Sequence, residues 1–112
     1  MRTYYGAADL VCMPSLEEGW PDALMESFAC GCPVVASRVG GMPDIVALTG
    51  AGILAEPGKP DRLAAAITEA LARGWSREET ARIMERHTLT QTAERYLEAC
   101  NEAVSKFRAK HR

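Results

Sequence analysis

Two glutamates, Glu18 and Glu26, stand on either side of Gly19-Trp20-Pro21, and what they can do depends on the backbone between them. Pro21 suits a first helical position, and residues 23–30 hold good helix formers before Gly31 at a C′ position and the breaker Pro33. A helix there sets Glu26 about 7.5 Å along the axis from Pro21, so the two carboxylates flank a helix N-terminus instead of sharing one face. Unpaired N–H groups and about half a positive charge make such an end suitable for an anion like a diphosphate. Carboxylates on either side accept hydrogen bonds from hydroxyl groups. A molecule with a diphosphate at its centre, a sugar at one end and a ribose at the other meets both conditions, and that description is a nucleotide-sugar.

Other chemistry-bearing patterns fail on context. Gly50-Ala51-Gly52-Ile53-Leu54-Ala55 has the spacing of a dinucleotide fingerprint, but its glycines precede a strand-like run when they should open a helix. Gly58-Lys59 lacks the upstream spacing of a phosphate loop, and Pro60 stands where a magnesium-binding hydroxyl belongs. Cys30 and Cys32 form C-x-C, not the C-x-x-C of zinc or redox sites; with Cys12 and Cys100 they are expected to be buried free thiols. No Asp-x-Asp metal motif is present. His87 and His111 lack partners in sequence and are expected on a helix surface and in the tail.

The elements that position Glu18 and Glu26 follow from the pattern of breakers. Residues 4–8 close a helix; Leu10-Val11-Cys12-Met13 is an apolar run of strand length, expected to be buried on both faces. Pro33-Val34-Val35-Ala36-Ser37 is a second buried strand, residues 43–48 a short helix, and Ile53-Leu54-Ala55 a third strand. This alternation gives βαβ units, hence an α/β class with a partial Rossmann-like parallel sheet of about three strands, flanked by helices. Ligands of such sheets bind beyond the carboxyl ends of the strands, where the loop of residues 14–20 must lie. Beyond Glu56-Pro57-Gly58-Lys59-Pro60 the pattern turns helical, dividing one domain into a βαβ region (1–60) and a helical part (61–112). Leu63, Ile67, Ala70 and Leu71 form an apolar stripe; Ser76 and Glu79 form a capping box before a helix bearing Ile83 and Met84. Thr88 and Gln91 can start a last helix, whose stripe of Ala93, Tyr96, Leu97, Cys100, Val104 and Phe107 requires something to pack on.

A chain of 112 residues, 47% hydrophobic and 25% charged, has room for one core and excludes a disordered or low-complexity protein. No apolar run approaches the roughly 20 residues of a membrane span. The first residues lack the apolar region of a signal peptide, so a cytoplasmic location is expected. Nothing supports membrane association, which stays open. Residues 1–60 carry three basic and seven acidic side chains, a net −4; residues 61–112 carry ten basic and eight acidic, a net +2. Basic residues gather only at the extreme C-terminus, so no nucleic-acid partner is expected.

The string Glu18-Gly19-Trp20-Pro21 through Glu26, together with Ala29-Cys30-Gly31-Cys32-Pro33-Val34-Val35-Ala36-Ser37 and Val39-Gly40-Gly41-Met42-Pro43-Asp44-Ile45-Val46, closely resembles the donor-binding domain of group 1 (family 4) retaining glycosyltransferases of the GT-B fold. The match is strong over residues 4–55 and one of pattern only from 61 to 107. The resemblance implies that Glu18 is catalytic and bonds the donor sugar, that Glu26 holds the ribose hydroxyls, and that amides of Gly19, Trp20, Pro21, Asp22, Ala23 and Leu24, where the residue has one, line the sugar and diphosphate. Trp20 walls the sugar pocket, and Asp22 can cap the helix. The family is metal-independent, so no metal is expected, and it transfers the glycosyl group with retention. Its phosphate-binding Arg and Lys have no counterpart among Arg2, Arg38 and Lys59, and its acceptor-binding N-terminal domain lies outside the matched region. The chain alone is therefore expected to be inactive. Alternatives are a module completed by a separate partner chain, or a non-catalytic nucleotide-binding or structural remnant.

Overall fold

The computed structural model describes residues 2–87 and 89–111, without the side chains at 2, 89, 90 and 92. Its elements are α1 (Arg2–Ala7), β1 (Val11–Met13), α2 (Asp22–Ala29), β2 (Val34–Ser37), α3 (Met42–Thr49), β3 (Gly52–Ala55), α4 (Pro60–Ala72), α5 (Arg77–Glu85) and α6 (Leu89–Lys110). The strands form one parallel sheet in the order β1-β2-β3, with Val11 opposite Val34 and Val34 opposite Gly52. The expected α/β architecture is thus present.

Alternation along the strands builds two apolar layers. Val34 and Ala36 face a core with Leu24 and Phe28 of α2, Met42 and Ile45 of α3 and Met84 of α5. Val35 and Ala55 face the other side, against Ala66 and Ala70 of α4. Only β2 is buried at every position, because it alone has a strand on each side and a helix layer on each face. Edge strand β1 corrects the expectation of burial on both faces: Val11 and Met13 are half-buried, and Cys12 between them is exposed. Cys12 pairs in register with Val35 and so points to the α4 side, but α4 lies over β2 and β3 and leaves it open.

Helix α2 is fixed by its buried residues Leu24, Ser27 and Phe28, spaced three and four apart. Leu24 and Phe28 are fully buried, each stabilising the core by about 1.5–3 kcal/mol. The helix stops as its sequence indicates. Gly31 has φ 74°, its amide bonds the Phe28 carbonyl at 2.9 Å, and the Cys32 amide bonds that of Ser27 at 2.9 Å, the pairing of a Schellman motif. The buried Ser27 hydroxyl adds a bond to the Cys32 carbonyl at 3.0 Å. At its start α2 differs by one residue from expectation: Pro21 is the N-cap, the helix begins at Asp22, and no side chain caps it, so Asp22 is not a cap.

In the helical part, Ser76 accepts from the Glu79 amide at 3.3 Å, as the capping box requires, and Trp75 fills the α4–α5 junction with its indole N–H on the Ala70 carbonyl at 2.7 Å. Leu71 is exposed, although its spacing put it on the apolar stripe: at about 100° per residue it lies roughly a quarter-turn from the middle of the buried face. Thr88 lies outside the described residues, so the second expected capping box is not described. The largest departure is α6. Every described side chain from Gln91 to His111 is exposed, including Cys100, so of the four expected buried thiols Cys32 alone is buried, with Cys30 half-buried. Among the described residues the stripe is left uncovered, and the described residues extend to 58 × 30 × 21 Å.

Two long-range contacts hold the site's framework. Arg77 donates to the Tyr5 and Ala8 carbonyls, each at 2.8 Å, tying α5 to the C-terminal end of α1. In the other, the β2–α3 turn lies against the β1–α2 loop. The Gly41 amide bonds the Gly19 carbonyl at 2.7 Å. A Cβ on Gly40, which has φ 51°, would overlap the Glu18 carbonyl oxygen, and one on Gly41 would stand 2.5 Å from the Trp20 ring.

Arg77→Ala is expected to lower unfolding free energy by about 1–3 kcal/mol in urea titration, since it strips a charged donor from two carbonyls; a loss below about 0.5 kcal/mol would contradict that role. Gly40→Ala is expected to cost at least about 2 kcal/mol, because it adds left-handed strain to a clash with backbone. Gly74→Ala, where a methyl meets only open space, should leave stability nearly unchanged, and equal effects of the two substitutions would refute the loop–loop constraint.

Candidate functional site

The β1–α2 loop emerges from the carboxyl end of β1, where ligands of parallel sheets gather. It delivers Glu18 beside the N-terminus of α2, and α2 itself carries Glu26 one turn further on. The uncapped N-terminus has consequences. The Leu24 amide already bonds the Pro21 carbonyl at 3.3 Å, while the amides of Asp22 and Ala23 precede the first complete helical turn and have no side-chain acceptor. These are the donors an anion can use.

The two glutamates differ in their surroundings. Glu18 is half-buried, and its Oε2 accepts from the Ser15 hydroxyl at 3.0 Å, a bond that turns the carboxylate back into its own loop. Glu26 is exposed, and Tyr5 of α1 directs its hydroxyl at Glu26 Oε2 across 3.5 Å. Burial, and then the Glu26 carboxylate, push the Tyr5 phenol above its ordinary pKa of 10.0, so Tyr5 stays a neutral donor through the physiological range. Neither Tyr5 nor Ser15 carries a motif signal. Tyr5 meets Glu26 through the fold, since Arg77 ties the end of α1 to α5 and α5 packs on α2, a contact 21 residues apart in sequence.

Two clefts border Glu26. A cleft of about 760 Å³ is lined by Trp20, Asp22, Met25, Glu26, Leu48, His87 and Arg95, and a neighbouring one of about 340 Å³ by Tyr5, Glu26, Ala29 and Cys30. Trp20 is 53% exposed and leans on α2 through its indole N–H, 3.2 Å from Met25 Sδ. Glu18 lines neither cleft. The structure therefore brings Glu26, Trp20 and Asp22 to one concavity and leaves Glu18 and Gly19 in the adjoining turn. Pro21 and Leu24 are buried, so Leu24 contributes no side-chain contact, and Ala23 is exposed. A separate cavity of about 200 Å³, lined by Pro14, Leu16, Ser37 and Lys59 among others, holds neither glutamate.

The cleft brings in four residues beyond those singled out as a site, the apolar Met25 and Leu48 and the polar His87 and Arg95. His87, expected on a helix surface, follows α5 and is half-buried on the cleft wall; Arg95 of α6 supplies its cation. No sequence spacing links His87 or Arg95 to Glu26. Among the described residues no group of three or more His, Cys, Asp or Glu side chains is arranged to hold a metal ion, and no helix is long and apolar enough to cross a membrane.

Comparison with known proteins shows the family of the chain. Residues 1–88 match the family of glycosyl transferases group 1. A D-inositol 3-phosphate glycosyltransferase of Mycobacteroides abscessus is 36% identical over 111 residues, covering 96% of this chain and 25% of that protein. The protein of the same name from Segniliparus rotundus is 46% identical over 68 residues, 61% of this chain and 15% of its own. Among solved structures, sucrose-phosphate synthase from Thermosynechococcus elongatus superposes with a TM-score of 0.70 at 30% identity, over 88% of this chain and 27% of that one. The chain thus spans about a quarter or less of the proteins it matches. Its three parallel strands, flanking helices and matched residues make it part of a GT-B glycosyltransferase, and it belongs to the glycosyl transferases of group 1.

Proposed function

We propose that this chain carries the donor side of a retaining glycosyl transfer from a nucleotide-sugar. The observation that carries the reading is the uncapped N-terminus of α2, with Glu18 in the loop before it and Glu26 on its exposed side. In this reading the Asp22 and Ala23 amides face the diphosphate, Glu26 accepts from the ribose hydroxyls, and Glu18 bonds the donor sugar after exchanging its Ser15 hydroxyl for a sugar hydroxyl. Asp22 places a negative charge beside the diphosphate and weakens donor binding.

Transfer breaks the bond from the anomeric carbon to the diphosphate oxygen, which keeps the electron pair. The acceptor hydroxyl oxygen then bonds the oxocarbenium-like carbon from the face the nucleotide leaves, giving retention, and its proton passes to the departing diphosphate oxygen. Fixed amide dipoles that stabilise the leaving diphosphate supply much of such a rate enhancement. The reaction proposed uses no metal ion, as the resemblance to a metal-independent family implies. The acceptor-binding half and the phosphate cations come in this proposal from polypeptide beyond these 112 residues, in the same chain or in a partner. Four unpaired cysteines, two of them exposed, suit the reducing cytoplasm.

Titration calorimetry with UDP and GDP tests the assignment. Binding to one of them is expected, weakened about 10- to 100-fold by Glu26→Gln, the equivalent of losing one or two charge-assisted hydrogen bonds. Absence of heat with either nucleotide, or an affinity indifferent to Glu26→Gln, would overturn it. The purified chain alone should turn over no nucleotide-sugar above the level of Glu18→Ala.

A further inference from the structure

Glu26 is an exposed carboxylate in a setting that draws it two ways. Asp22 stands four residues earlier on α2, the spacing at which like charges repel across one helical turn. Arg95 lines the same larger cleft as a competing cation, yet among the described residues Glu26 forms no ion pair. Tyr5 is the one side chain among them that hydrogen-bonds it, with the hydroxyl 3.5 Å from Oε2, and Oε1 is left without a donor. That distance is long for an O–H···O bond, so the phenol gives the carboxylate direction more than strength.

The donor itself is held still. Tyr5 is 6% exposed, whereas its neighbour Tyr4 stands in solvent. Arg77 bonds the Tyr5 carbonyl at 2.8 Å, and the Ala8 carbonyl accepts from Arg77 at 2.8 Å and from the buried Cys32 thiol at 3.7 Å. A buried ring on a tied backbone has already lost its freedom, and little more is lost when its hydroxyl engages a carboxylate. Neutrality suits the task. An arginine in its place would occupy both carboxylate oxygens in a fork, whereas one hydroxyl engages a single oxygen. Ala29 and Cys30, which line the smaller cleft with Tyr5 and Glu26, bring no competing cation.

We propose that Tyr5 is a positioning residue for nucleotide binding: its hydroxyl holds Glu26 Oε2 against the pull of Arg95 and the push of Asp22, and leaves Oε1 to accept from the ribose. The proposal rests on the donor reading above and adds that the ribose contact depends on a residue of α1 acting through Glu26.

Tyr5→Phe removes the hydroxyl and keeps the ring in the core. Titration calorimetry of the full chain compares UDP and GDP with their 2′,3′-dideoxy analogues, which lack the hydroxyls that Glu26 accepts from. Tyr5→Phe is expected to weaken the ribose nucleotide about 3- to 10-fold and to leave the dideoxy analogue within about twofold. Added to Glu26→Gln it should weaken binding by no more than about a further twofold, since it acts through that carboxylate. Equal weakening of both nucleotides marks a merely structural role and overturns the proposal. A ribose nucleotide that responds to Glu26→Gln but not to Tyr5→Phe overturns it too, and leaves the donor reading standing. Indifference to Glu26→Gln removes both together. The contact is also read without ligand, from the ultraviolet difference absorbance of the protein against Tyr5→Phe as pH rises. Glu26→Gln should lower the Tyr5 midpoint, because it withdraws a negative charge beside the phenol; an unmoved midpoint overturns the proposal.

Discussion

The Gly41 amide and the Gly19 carbonyl, 2.7 Å apart, join two loops whose elements each have only a few residues of buried contact of their own. Both loops leave the same end of a parallel sheet, and both must bend sharply there: one leads into α2, the other into α3. Their approach is so close that neither Gly40 nor Gly41 has room for a Cβ. The consequence is that the position of Glu18, the direction of the Trp20 ring and the exposure of the first amides of α2 are set by one backbone contact between residues more than twenty positions apart. Side-chain packing in the core fixes where α2 and α3 lie; the glycine contact fixes what their N-terminal ends present.

The site that results is asymmetric. Glu26 stands on a rigid helix, between two clefts, with a neutral Tyr5 hydroxyl beside it. Glu18 sits in a loop and is engaged with Ser15. A group on a helix packed through Leu24 and Phe28 has little freedom, whereas a loop carboxylate held by a single hydroxyl can exchange that partner for another. In the proposed reaction this division suits a ribose contact that is present from the start and a sugar contact made when the donor arrives.

Much of this was legible in the sequence because it depends on local physics. Apolar runs stopped by Pro and Gly marked β1, β2 and β3; Gly31 and Pro33 ended α2; Ser76 and Glu79 announced α5. The motif strings located the glutamates relative to a helix N-terminus. What escaped depends on partners remote in sequence. Cys12 has the apolar neighbours of a core strand, but whether it is covered is decided by which strands α4 overlies. Leu71 fits a four-residue spacing yet falls off the narrow face that Ala66 and Ala70 present to the sheet. Tyr5, His87 and Arg95 approach Glu26 through folding alone. For α6 the stripe itself was plain, and its need for a partner was too; that the described residues leave it uncovered is a fact of three dimensions.

The central claim is that the backbone at the start of α2, positioned by the Gly40–Gly41 turn, is where the nucleotide's phosphates sit. A ¹H–¹⁵N correlation spectrum of the chain titrated with UDP tests it residue by residue. The account predicts that the largest amide shifts fall on Gly19, Trp20, Asp22, Ala23, Gly40 and Gly41, with smaller ones near Glu26. Shifts confined instead to the cavity around Leu16, Ser37 and Lys59, with the start of α2 unmoved, would contradict it.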